Sequence, residues 1–122
     1  MFKFYRERIK QCKKYSLDEE RKLIALAQKG NKAAKEELIL NHVGFFQFRI
    51  NVILYPKYVR LYGEDLLQEC LLLACEKIHK YDLRYKNKKG KRQRVYFRSF
   101  IWKHVTGLII RSIKNKKEKS GG

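Results

Sequence analysis

DLLQECLLLACEKIHKYD, residues 65–82, places apolar or small side chains at 66, 67, 70, 73, 74 and 78. Steps of three and four return side chains to one face of an α-helix, whereas a strand would alternate. The spacing predicts a helix from Gly63 to about Lys80 whose buried face runs Leu66, Leu67, Cys70, Leu73, Ala74 and Ile78, with Lys77 at its edge. Glu64, Asp65, Gln68 and Glu69 fall at i, i+1, i+4 and i+5, on a polar side opposite that face.

The same period extends in both directions. Upstream, Ser16 with Glu19 three residues later reads as a capping box opening a helix to Gln28, and Gly30 as its left-handed stop. Asn31 is a cap, and the run Leu38, Ile39, Val43, Phe46, Ile50 and Ile53 predicts one long helix to about Leu54, closed by Tyr55-Pro56. A first helix is expected over about residues 3–14, inside an N-terminal segment 1–15. Downstream, YKNKKGKRQR (residues 85–94) is too charged to pack a core, so residues 86–94 read as a basic loop. A last helix is expected from about Tyr96 to Lys114, with Phe97, Ile101, Val105 and Leu108 as its stripe. Residues 115–122 read as a disordered basic tail. The expected class is all-α: a compact bundle of about four to five helices, one domain over residues 1–114.

The 122 residues carry 30 Lys plus Arg against 12 Asp plus Glu, a net charge of +18. Residues 83–122 hold 14 of those cations and one acid, Glu118. A polyanion is the partner such a surface fits, and nucleic acid comes first. No stretch approaches the roughly 20 apolar residues that span a bilayer and no secretory segment opens the chain, so a cytoplasmic protein is expected. Cys12, Cys70 and Cys75 lack paired spacing, and His42, His79 and His104 are scattered, which suits packing or surface positions rather than a metal. There is no phosphate loop, HExxH or GxSxG. Carboxylates outside residues 64–69 are scattered, so neither an enzyme nor a cofactor is expected.

The stretch from Asp65 to Asp82 resembles the core-binding segment of bacterial sigma factors of the sigma-70 superfamily, where a DL(I/F)QEG opening leads to a KFD or KYD close. Residues 16–46, SLDEERKLIALAQKGNKAAKEELILNHVGFF, resemble the segment that precedes it there, and YFRSFIWKHVTGLIIR (residues 96–111) the aromatic DNA-melting helix. The likeness covers about residues 16–112 in order. It implies a sigma region-two fold that docks on the clamp helices of core RNA polymerase through Glu64, Asp65, Gln68, Glu69 and Leu71. Cys70 and Leu71 replace the family's small and amide residues. The resemblance further implies that the nontemplate strand of the downstream promoter element is engaged by Arg84, Tyr85, Lys91, Arg92, Arg94, Tyr96, Phe97, Arg98, Phe100, Trp102, Lys103 and His104.

Melting needs aromatics interleaved with cations, because an extruded base costs a few kcal/mol and each base stacked on a ring regains roughly 1–3 kcal/mol. At 100° per residue Trp102 borders the Phe97, Ile101, Val105, Leu108 stripe, which makes it the leading candidate for an exposed ring, with Tyr96 beside it. Phe97 suits the core at least as well as a base. Lys103 and His104 stand where the family has a tryptophan pair. Nothing after Leu108 supplies the helix-turn-helix domain that reads the upstream element. An excised domain and a short factor with a separate partner both fit, and an anti-sigma protein is a further partner of this class. The competing reading is a polymerase-independent DNA or RNA regulator of a mobile element, working through charge alone.

Overall fold

The computed structural model describes residues 14–83 and 95–119, with side chains to Lys116. The described residues form five α-helices and no strand: α1 Leu17–Gln28, α2 Lys32–Leu40, α3 Val43–Ile53, α4 Pro56–Ile78 and α5 Phe97–Lys119. The expected first helix lies outside them.

Local chemistry sets most boundaries. Ser16 Oγ accepts the Glu19 amide at 3.1 Å and the Glu19 carboxylate accepts the Ser16 amide at 3.2 Å. These reciprocal bonds satisfy two of the open donors of α1 and hold the Glu19 carboxyl below its usual range. At the other end Gly30 takes φ 100°. Its amide then reaches Ala27 O, and that of Asn31 reaches Leu26 O, both at 3.0 Å, the paired bonds of a Schellman turn. Asn31 serves twice, since its Oδ1 also caps α2 through the Ala34 amide at 3.0 Å.

The single helix expected from Asn31 to Leu54 is broken. The amide of His42 bonds to Ile39 O at 3.0 Å, one residue short of the α-helical partner. The Leu38 carbonyl so released is taken by the His42 ring, Nδ1 to O 2.8 Å. Bending there buries Leu38 and Val43 on either side of the break. The next boundary also moves: α4 starts at Pro56, not at Gly63. Proline at the first helical position lacks only an amide that would be unbonded anyway, and its φ is already helical.

The core gathers Ile24, Leu38, Val43, Phe46, Ile50, Leu66, Leu67, Cys70, Ala74 and Ile78 with Phe97, Ile101, Val105 and Ile109. Ile109 completes the α5 stripe in place of Leu108, which is half-buried. The last helix runs five residues past its expected end, through residues 115–119 of the expected tail. Polar side chains of α1 close the far end of α4: Gln28 Nε2 donates to Ile78 O at 2.9 Å and Tyr81 O at 2.7 Å. Arg21 donates to Tyr81 Oη at 3.1 Å and to Leu83 O. Among the described residues no helix is long and apolar enough to cross a membrane.

Candidate partner and nucleic-acid interfaces

Two surfaces stand out: one carries most of the α4 residues singled out from sequence, and the other includes Tyr96 and Arg98 from the aromatic helix. The first belongs to α4 alone. Glu64, Asp65 and Gln68 are exposed, and two leucines flank them, Leu61 at 59% and Leu72 at 71% exposure. Positions 61, 65, 68 and 72 step by four, three and four, the spacing of a seam that faces a partner helix. Because α4 starts at Pro56, the acids stand more than two turns inside it, beyond the first turn where a carboxylate gains from the helix dipole.

Glu69 and Leu71 differ from expectation. The Glu69 carboxylate accepts the Ser112 hydroxyl at 2.7 Å and pairs with Lys116 Nζ at 3.6 Å, both on α5. It is tied within the bundle. Leu71 packs against the core; residue 72, one position on, faces outward instead. Cys70 is fully buried, and burial pushes its thiol up to about 12.

The second surface is a groove of about 730 Å³ between the start of α1, the α2–α3 junction, α3 and the start of α5. Tyr15, Phe45, Phe48 and Tyr96 supply aromatic walls, and Lys14 and Arg98 supply cations. Glu20 and His42 also border it although both are buried. Arg98 lies 5.8 Å from the Tyr96 ring centroid. Phe45 is shared with the neighbouring Trp102, ring centroids 5.5 Å apart.

Trp102 is 40% exposed, with the Arg49 guanidinium 4.0 Å from its ring centroid. Arg49 is itself held by the Thr106 hydroxyl at 3.0 Å. One face of the indole is thus covered by a cation. Phe97 is fully buried in the core and out of reach of a base, because the α5 stripe that packs on α4 begins with it. Phe100 is half-buried, edge-on to Tyr81 at 5.3 Å. Lys103 and His104 are exposed, and desolvation with the charges of Lys77 and Lys80 lowers the His104 pKa. Arg84, Tyr85, Lys91, Arg92 and Arg94 lie outside the described residues.

The groove was not legible in the sequence as a unit. Its walls come from four separate segments; the aromatic and basic run that begins α5 signalled Tyr96 and Arg98, whereas Lys14, Tyr15, Phe45 and Phe48 join them only through the fold. Compared with known proteins, the chain matches no family model, no curated protein and no solved structure.

Proposed function

We propose that the chain is a sigma-factor-like transcription initiation protein, which docks on core RNA polymerase and opens the downstream promoter element by capturing nontemplate bases. The α4 seam carries this reading. A strongly basic protein that only gripped nucleic acid would gain nothing from an exposed stripe of Leu61, Asp65, Gln68 and Leu72. A helical partner with basic side chains opposite Asp65 uses every part of it: leucines packed at the ends, a carboxylate and an amide bonded between them.

The groove supports the second half of the reading. An extruded base needs a flat ring to stack on and a cation for its phosphate. Tyr96, Phe45 and Phe48 offer rings beside Lys14 and Arg98. Groove and seam share no residue, so one chain can hold polymerase and strand together.

The test is co-purification of core RNA polymerase with the wild-type chain and with the Asp65→Lys, Gln68→Lys variant at equal, moderate salt. Glu69 is left alone, since a lysine there would face Lys116 and disturb the fold. Retention by wild type with loss in the variant is the expected result. Equal retention, or none, would favour the polymerase-independent nucleic-acid binder.

A further inference from the structure

On a chain of net charge +18, one helix presents an exposed face without a charge. α3, VGFFQFRINVI, holds a single charged residue, Arg49. That guanidinium is turned onto α5, 4.0 Å from the Trp102 ring centroid and bonded to the Thr106 hydroxyl at 3.0 Å. The outward side of α3 carries Phe48 and Val52 instead, each 58% exposed, with exposed Asn51 beside them. Phe48 and Val52 stand four residues apart, so they form one apolar ridge with Asn51 at its edge. Tyr55, two residues past the end of the helix, is 76% exposed.

Charge decides what can cover this ridge. A nucleic-acid strand needs cations beside the rings it stacks on, and the outward side of α3 has none. A basic helix of the kind that fits the α4 seam would find no carboxylate here. A second copy of the chain does match. Two such chains repel wherever charged faces meet, and the exposed faces of α1, α2, α4 and α5 all carry charges, Lys22, Glu36, Asp65 and Lys103 among them. The α3 face alone brings no charge against itself. It is also its own complement. In an antiparallel pair about a two-fold axis level with Ile50, Phe48 of each copy meets Val52 of the other. Asn51 then stands beside the axis, and a carboxamide both donates and accepts, so the two can exchange hydrogen bonds.

We propose that the strand-free protein pairs with a second copy of itself through α3, with Phe48 packed on Val52 of the other copy and the two Asn51 carboxamides bonded across the axis. Phe48 also lines the groove, so pairing covers one of its walls. A captured strand and a second copy therefore compete. The competition rests on the strand-capture reading, whereas the dimer does not.

The experiment is sedimentation velocity of the full chain over a micromolar concentration series. One short helix face makes a small contact, below about 1,200 Å² in total, and so a reversible dimer. The wild type should move from one to two chain masses of 14.7 kDa as concentration rises. Raising salt from about 0.05 M to about 0.5 M should favour the dimer, because it screens the repulsion between the chains and breaks no ion pair in the contact. Val52→Lys, at an exposed position outside the groove, should stay monomeric, with an unchanged circular dichroism spectrum and intact binding of oligothymidylate. Adding oligothymidylate to the wild type should return it to one chain per complex. A wild type that stays monomeric throughout, or a dimer that Val52→Lys leaves intact, would overturn the pairing. So would a dimer that dissolves in salt, the mark of an ion-paired contact elsewhere. A strand bound to an intact dimer would overturn the competition for Phe48. Absence of strand binding would count against strand capture and leave standing a dimer that Val52→Lys breaks.

Discussion

Phe97 and Trp102 sit five positions apart on α5 and take opposite roles. Both are aromatic residues in a run of aromatics and cations, and composition alone does not separate them. Helical geometry does: Phe97 starts the stripe that continues through Ile101, Val105 and Ile109, and all four are fully buried. Trp102, off that stripe, keeps 40% of its surface exposed and carries Arg49 on its ring. Phe97→Ala should therefore act on stability, lowering the unfolding free energy by about 3–5 kcal/mol in a urea titration. If the variant instead unfolds like wild type and loses only DNA binding, the core assignment of Phe97 is wrong. His42 was harder to read. Nothing near it in sequence signals burial, because the carboxylate it faces comes from Glu20 on another helix and the carbonyl it takes exists only once the chain bends.

At the scale of the helices, local rules were dependable where a side chain or a turn closes a helix end by itself. The Ser16–Glu19 box, the Gly30 turn and the Asn31 cap all use atoms within a few residues, and each was visible in the sequence. Gly30 has open space around it, so its requirement is backbone conformation alone: φ 100° strains any residue with a β-carbon. Gly30→Ala should lower stability by about 1 kcal/mol or more, measured as a shift of the urea midpoint with the slope unchanged. A midpoint equal to that of wild type would mean that the turn relaxes to another geometry.

Longer-range determinants were less legible. The apolar period runs on through Asn41 and His42, so only the competition for the Leu38 carbonyl reveals the break. Pro56 reads as a terminator from one side and as a first helical residue from the other. The choice is made by Val59, Leu66 and Leu67, which bury one face of α4 from its first turns onward. That earlier start is also what moves Glu64 and Asp65 away from the helix terminus, and the exposed leucines at 61 and 72 then become parts of one seam.

For the molecule as a whole, all-α architecture follows from the period of apolar residues, whereas the site depends on which helices become neighbours. A charge of +18 over 122 residues gives long-range attraction to any polyanion, yet only the side chains that touch phosphates release counterions. Single-strand binding should weaken with salt at a slope of about 0.7 in log affinity per phosphate engaged. Lys14→Ala and Arg98→Ala should each lower that slope by about that amount in salt titrations with oligothymidylate. An unchanged slope in both variants would remove these two side chains from the phosphate path.

The bonds from Gln28 and Arg21 to the end of α4 have a consequence for the time course of folding. Gln28 reaches Ile78 and Tyr81, Arg21 reaches Tyr81 and Leu83, and the Glu20 carboxylate waits for the Phe97 amide. During synthesis α1 leaves the ribosome first, yet its polar partners are made some fifty to eighty residues later. Until α4 and α5 emerge, Glu20, Arg21 and Gln28 lack these partners, and among the described helices α1 packs chiefly on α2. The groove is therefore assembled in the closing step, because Tyr96 and Arg98 at the start of the last helix complete its walls.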